Sequence, residues 1–155
     1  MDQFLRHIAN RIWISDLYNG KFVEKESEFD SSYVLFDNKK VSRAYIIATV
    51  IQKFENEDMT YVSITIDDGS SDIRVKAWKN DIDLISNSII GDLILVVAKV
   101  KKYNDEIYLV PEIIKKIDPN WELVHKITLL KRPKQEVKEE SYVLKTEEIR
   151  FNDNL

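Results

Sequence analysis

Two short stretches of the chain alternate cations and aromatics at the period of a β-strand. Arg74, Lys76 and Trp78 share one parity, with Ile73, Val75 and Ala77 between them. Lys99, Lys101 and Tyr103 share another, further along the chain. Successive strand residues point to opposite faces, so each set shares one face. Guanidinium and ammonium groups hold phosphates, and indole and phenol rings stack under unpaired bases. Each stacked base contributes about 1–3 kcal/mol whatever its identity. Tyr61, Lys53 and Phe54, around the loop after the first long strand, extend the same chemistry as secondary candidates. The bland alternative is that Trp78 tucks under a linking helix and the lysines merely solvate a sheet.

Other chemistries find little to work with. His7 and His125 are the only histidines and have no metal-spaced partner. There is no cysteine, which removes thiolate zinc sites, disulfides and a cysteine nucleophile. Asp67 and Asp68 are adjacent, so in a strand they point to opposite faces and do not form a paired-carboxylate site. The glycines Gly20, Gly69 and Gly91 are isolated, which excludes a Gly-rich phosphate loop. The expectation is a binding protein and not an enzyme, with no cofactor, no metal and no small-molecule substrate.

The elements that must position these residues follow from pattern. Arg43 to Phe54 is rich in β-branched and aromatic residues, as strands are. Tyr61 to Asp67 alternates, with Val62, Ile64 and Ile66 on one face. Asp68-Gly69 turns it into Ile73 to Trp78. Ile82, Leu84, Ile85 and Ile89 recur at helical spacing between Asn80 and Ile90, and Gly91-Asp92 ends that helix. Leu93 to Lys102 and Ile107 to Ile114 are two more strands, joined by a turn at Tyr103 to Glu106. Five strands with one helix between the third and fourth is the order of the OB-fold, a small Greek-key barrel. The fold expected is therefore mainly β: a five-stranded OB barrel over 43–118, an N-terminal strand extension over 1–42 and a C-terminal helix over 119–131. In the extension, Arg11 to Leu17 and Tyr33 to Phe36 read as short extra strands, with Asp37-Asn38 able to turn the chain back. Residues 132–155 read as a charged, mobile tail.

Of the 155 residues, 23 are Lys or Arg and 27 are Asp or Glu, for a net charge of −4. That excludes a wholly basic binder and requires a local patch for any nucleic-acid contact. The barrel segment alone holds ten basic and thirteen acidic residues. Its acids cluster at turns (Glu55, Glu57, Asp58, Asp67, Asp68, Asp105, Glu106), whereas its bases occupy outward strand positions. No run reaches the roughly 18 apolar residues that cross a bilayer, and the N-terminus has no signal-peptide apolar core. The expectation is an intracellular protein without a membrane partner.

The stretch Ser63-Ile-Thr-Ile-Asp-Asp-Gly-Ser-Ser-Asp-Ile-Arg-Val-Lys-Ala-Trp78 resembles the second and third strands of the replication protein A middle subunit. Val97-Ala-Lys-Val-Lys-Lys-Tyr-Asn-Asp-Glu-Ile-Tyr108 resembles the fourth strand and its hairpin. Tyr33-Val-Leu-Phe with Val41-Ser-Arg43 resembles the segment leading into the barrel in archaeal members. The resemblance spans about residues 11 to 131. It implies single-stranded DNA binding within a hetero-oligomeric complex that protects exposed strands in replication, recombination and repair. By position, Trp78 matches the third-strand stacking aromatic, and Tyr103 the aromatic at the end of the fourth strand. The chain has room for neither a winged-helix domain nor a phosphorylated tail, which implies an archaeal-type member located in the cytoplasm or nucleoid. Family partners are the other subunits, met through the helix after the barrel. Here Trp121, Val124, Ile127 and Leu130 fall on one stripe. This stripe either meets a neighbouring helix or caps its own barrel. Two other functions stay open: a mainly structural subunit with weak DNA affinity, which the acidic barrel favours, and an RNA-binding OB module.

Overall fold

The computed structural model describes residues 8–132. The long first barrel strand, β5 (Arg43–Glu55), follows a small N-terminal unit. That unit runs β1 (Asn10–Arg11), α1 (Ile14–Asn19), β2 (Lys21–Val23), β3 (Tyr33–Phe36) and β4 (Lys39–Val41). After β5 come β6 (Tyr61–Asp67), β7 (Asp72–Trp78), a 3-10 turn at Lys79–Asp81 and α2 (Ile82–Ser86). The hairpin of β8 (Leu93–Tyr103) and β9 (Glu106–Lys116) and the helix α3 (Pro119–Lys131) complete the order.

Five strands pair around a ring: β5 with β6, β6 with β7, β7 with β9, β9 with β8, and β8 back to β5. The β7–β9 contact is parallel, at Val75 opposite Leu109, and the others are antiparallel. This is the OB-fold. One strand can serve two neighbours because β5 is long and bends. Its first half, Arg43 to Thr49, pairs with β8, and its second half pairs with β6. The register slips between Val50 and Gln52, the extra residue that lets a strand kink and twist. A second slip in the β8–β9 ladder comes between Val97 and Ala98. There Pro111, which has no N–H to donate, faces Ala98. The β8–β9 turn places Asn104 and Asp105 at φ of 50° and 65°, the left-handed pair a two-residue hairpin needs.

The inward parity predicted for β6 and β7 is observed: Val62, Ile64, Ile66, Ile73, Val75 and Ala77 are all buried. They form one core with Ile46, Ile94, Val96 and Leu109. Ile12, Ile14, Leu17, Val34 and Val41 join that same core, so the N-terminal unit and the barrel share their apolar interior.

The strand expected over Arg11 to Leu17 is not there: it stops at Arg11, and Ile14–Asn19 is helical. The reason is tertiary. Asp68, at the β6–β7 turn, accepts the Ile14 N–H at 2.9 Å, and Ser70 Oγ accepts the Ser15 N–H at 3.1 Å. Asp16 accepts the Trp13 N–H at 3.1 Å. These acceptors satisfy helix-start donors that would otherwise be orphaned. The linking helix is also shorter than its apolar spacing predicts. It ends at Ser86, leaving Ile89 exposed, while Ser88 N–H donates to the Ile85 carbonyl and Asp92 accepts the Ile89 N–H. β2 was not foreseen. The tail expected over 132–155 lies outside the described residues apart from Arg132. That residue is docked: its guanidinium donates to Asp16 at 2.7 Å and lies 5.5 Å from the Phe36 ring centroid.

Candidate nucleic-acid interface

Four rings line up across four strands on the outer face of the barrel. Tyr61 and Trp78 are opposite each other in the β6–β7 register, and their ring centroids are 5.3 Å apart. On one side Phe54, from β5, lies 6.0 Å from Tyr61. On the other Tyr108, from β9, meets Trp78 edge-to-face at 6.3 Å. Trp78 is 44% exposed, so it does not tuck beneath α2. It sits between Tyr61 and Tyr108 with its surface open to solvent. These tilted and edge-to-face pairs form a continuous aromatic platform.

Tyr108 was not among the residues singled out along the sequence. Its signal lay in parity: Leu109 is buried, so its neighbour must face out. The parallel pairing of Val75 with Leu109 then sets Tyr108 beside Lys76, whose Nζ lies 4.5 Å over the Tyr108 ring centroid. Which strand stands beside β7 is a matter of topology, and no local pattern states it. Tyr103 stands apart from this row. It ends β8 opposite Glu106, is 69% exposed, and shares no ring contact with the other four among the described residues.

The candidate cations fall into three situations. Arg74 and Lys76 converge on one carboxylate at the start of β9. Arg74 donates to Glu106 through Nε at 2.7 Å and Nη2 at 2.8 Å, and Lys76 Nζ donates at 2.8 Å. The Arg74 hydrogen bond, with that of Lys76, holds the Glu106 carboxyl below the usual carboxylate range. Lys53 is turned to the opposite side of β5 from Phe54. It donates to the Ser86 and Ser88 carbonyls at 2.8 Å each, tying the end of α2 to the barrel. Lys99 and Lys101 project from β8 towards the segment between β2 and β3. Burial lowers the Lys101 ammonium pKa, and the like charges of Lys99 and Lys25 lower it further. Lys101 is opposite Tyr108 in the β8–β9 register, so this third group borders the ring platform.

The C-terminal helix carries a second surface. Asp118 caps it by accepting the Asn120 N–H at 2.8 Å, and Pro119 occupies its first turn. His125 and Leu129 are its buried residues. Arg11 Nη1 lies 3.2 Å from His125 Nδ1, and the imidazole is 5.7 Å from the Tyr45 ring. Trp121, Val124, Ile127 and Leu130 point away, with Trp121 59% and Leu130 75% exposed. Leu123 is exposed beside them. Of the two dispositions open to the stripe, capping its own barrel is therefore not the one observed.

Neither a family model nor a curated protein matches the sequence. Solved structures do match the fold. One is a chain of a replication protein A heterotrimer bound to single-stranded DNA, with a TM-score of 0.63 and 17% identity, covering 78% of this chain and 91% of that one. A second belongs to yeast replication protein A bound to single-stranded DNA, with a TM-score of 0.60 and 18% identity over 83% and 92% of the two chains. A third comes from the Stn1–Ten1 complex of S. pombe, with a TM-score of 0.67 and 18% identity over 79% and 88%. At the level of the fold, the chain is similar to these OB proteins, as its sequence resemblance to replication protein A implied.

Proposed function

We propose that the chain is a single-stranded DNA-binding OB subunit of a replication protein A-like complex, a binding protein and not an enzyme. The observation that carries this reading is the solvent-open ring row Phe54–Tyr61–Trp78–Tyr108, bordered by Lys101. Stacked bases lie on the rings, and lysines along the edge hold the backbone. Tyr103, at the hairpin end, extends the path. Within such a complex the strand is protected during replication, recombination and repair inside the cell. The uncovered face of α3 meets a helix of another subunit, because five exposed apolar residues on one helix form a surface that a partner removes from water.

Titration with a dT oligomer of about 30 nucleotides, followed by Trp fluorescence at two salt concentrations, tests the binding. Salt-sensitive quenching is expected, and Trp78→Ala should weaken affinity roughly five- to 150-fold, the loss of one stacked base. Tyr103→Ala should also weaken it, with the fold intact. A second reading is a mainly structural subunit, favoured by the engagement of both Arg74 and Lys76 by Glu106. In that case the isolated chain gives no quenching even at low salt. Trp121→Glu and Leu130→Glu are each expected to abolish co-purification with partner subunits, and assembly retained in both would exclude α3 as the interface. An RNA module is distinguished by tighter binding of rU than dT oligomers of equal length.

A further inference from the structure

A cavity of about 390 Å³ lies between the segment 24–32 and the outer face of β8. That volume is within the roughly 300–1,000 Å³ of small-ligand sites. Lys99 and Lys101 form its strand wall, and Lys25 and Phe29 stand on the segment opposite. Phe29 is 97% exposed, an aromatic ring at the rim of the cavity.

The charges in this cavity differ from those around Arg74. Lys25 and Lys101 make no ion pair among the described residues. Lys99 reaches Glu112 only at 4.0 Å, and that carboxylate is already held by Arg43 at 2.6 Å. Three ammonium groups thus share one half-enclosed space, with no carboxylate of the described residues in hydrogen-bond contact. Like charges brought together in a partly desolvated site repel, and an anion between them removes the repulsion. Glu28 and Asp30 also line the space, Asp30 accepting the Ser27 hydroxyl at 3.1 Å, and Glu24 offsets part of the repulsion on Lys101. The cavity is continuous with the ring row, because Lys101 and Tyr108 are cross-strand neighbours.

We propose that this cavity seats a phosphodiester of the bound strand among Lys25, Lys99 and Lys101, with the ring of Phe29 under the adjoining base. The N-terminal segment 24–32 is then part of the binding surface and not only a cover on the barrel. This inference rests on the nucleic-acid reading above. It adds a nucleotide position beyond the Tyr108 end of the row.

The full chain and its variants Lys25→Gln, Lys101→Gln, Phe29→Ala and Glu28→Gln are titrated with the same dT oligomer across a salt series. Each lysine variant should bind roughly three- to tenfold more weakly and lower the slope of log affinity against log salt by about 0.7. Phe29→Ala should weaken binding with the slope unchanged, since a ring releases no counterion. Glu28→Gln should strengthen binding, an effect that a purely structural role for the segment would not produce. If the wild type binds and Trp78→Ala weakens it, but both lysine variants keep the wild-type affinity and slope, the cavity is not on the path and the ring-row reading stands. If the wild type does not bind dT at low salt, both fall together.

Discussion

Glu106 is the residue whose role is least visible from its surroundings in the chain. It is an acid in a turn, yet it occupies the hydrogen-bonding positions of Arg74 and Lys76 that a phosphate would use. A strand that contacts either cation must compete with this carboxylate. Glu106→Gln removes that competitor, so dT affinity at low salt should rise severalfold and its salt dependence steepen. Asp105→Asn makes the same change in net charge in the same turn without freeing either cation, and should have a much smaller effect. Fluorescence titration of both variants makes the comparison, and equal effects would show that only net charge matters. Outward placement of Arg74, Lys76 and Trp78 was legible from alternation. The pairing with Glu106 was not, because it depends on β9 crossing beside β7.

At the scale of the element, α1 shows how a distant turn selects a helix. Its sequence, Ile14 to Asn19, has the mixed apolar character of a short strand. The buried Asp68 decides otherwise, accepting the Ile14 N–H, the Ser70 N–H at 2.9 Å and the Ser70 hydroxyl at 2.6 Å. Asp68→Ala should therefore cost roughly 2–4 kcal/mol, since the buried Ile14 N–H and the part-buried Ser70 donors lose one buried acceptor at once. Asp67→Ala should cost much less, because among the described residues the half-buried Asp67 side chain accepts only the Gly69 N–H, at 2.6 Å. Urea unfolding of the two variants checks the difference, and comparable losses would remove Asp68 as the anchor of α1. Adjacent acids that look equivalent in the chain thus do different work. α3 behaves in the opposite way: Asp118, Pro119 and the apolar spacing all announce it locally, and it forms where expected.

Over the whole molecule, α3 is pinned to the barrel by His125. The imidazole is fully buried, and burial, with the nearby Arg11 guanidinium as the second cause, lowers its pKa to about 4. Arg11 can only donate, so Nδ1 accepts and the ring is neutral, with its proton on Nε2. The unfolded chain, with a histidine pKa near 6.5, takes up this proton before the folded one does. The stability due to neutral His125 is therefore complete above pH of about 6.5, declines as pH falls, and is lost below about 4, roughly 3 kcal/mol in all. Thermal unfolding between those pH values should show this decline, and His125→Gln, which keeps an acceptor for Arg11, should flatten it. An unchanged slope in the variant would mean that carboxylates and not His125 govern the window.

The succession of the five barrel strands along the chain, the inward faces of β6 and β7, the C-terminal helix and the outward Trp78 were all readable from the sequence. Each depends on a period of two or on a cap within a few residues of the element it starts. The helical state of α1, the docking of Arg132 on Asp16, the ring row through Tyr108 and the capture of Arg74 and Lys76 by Glu106 came only with the tertiary structure. In each of these, the partners are far apart in sequence and meet because the barrel brings their strands or turns together. Periodicity tells which way a side chain points, but only topology tells what it points beside.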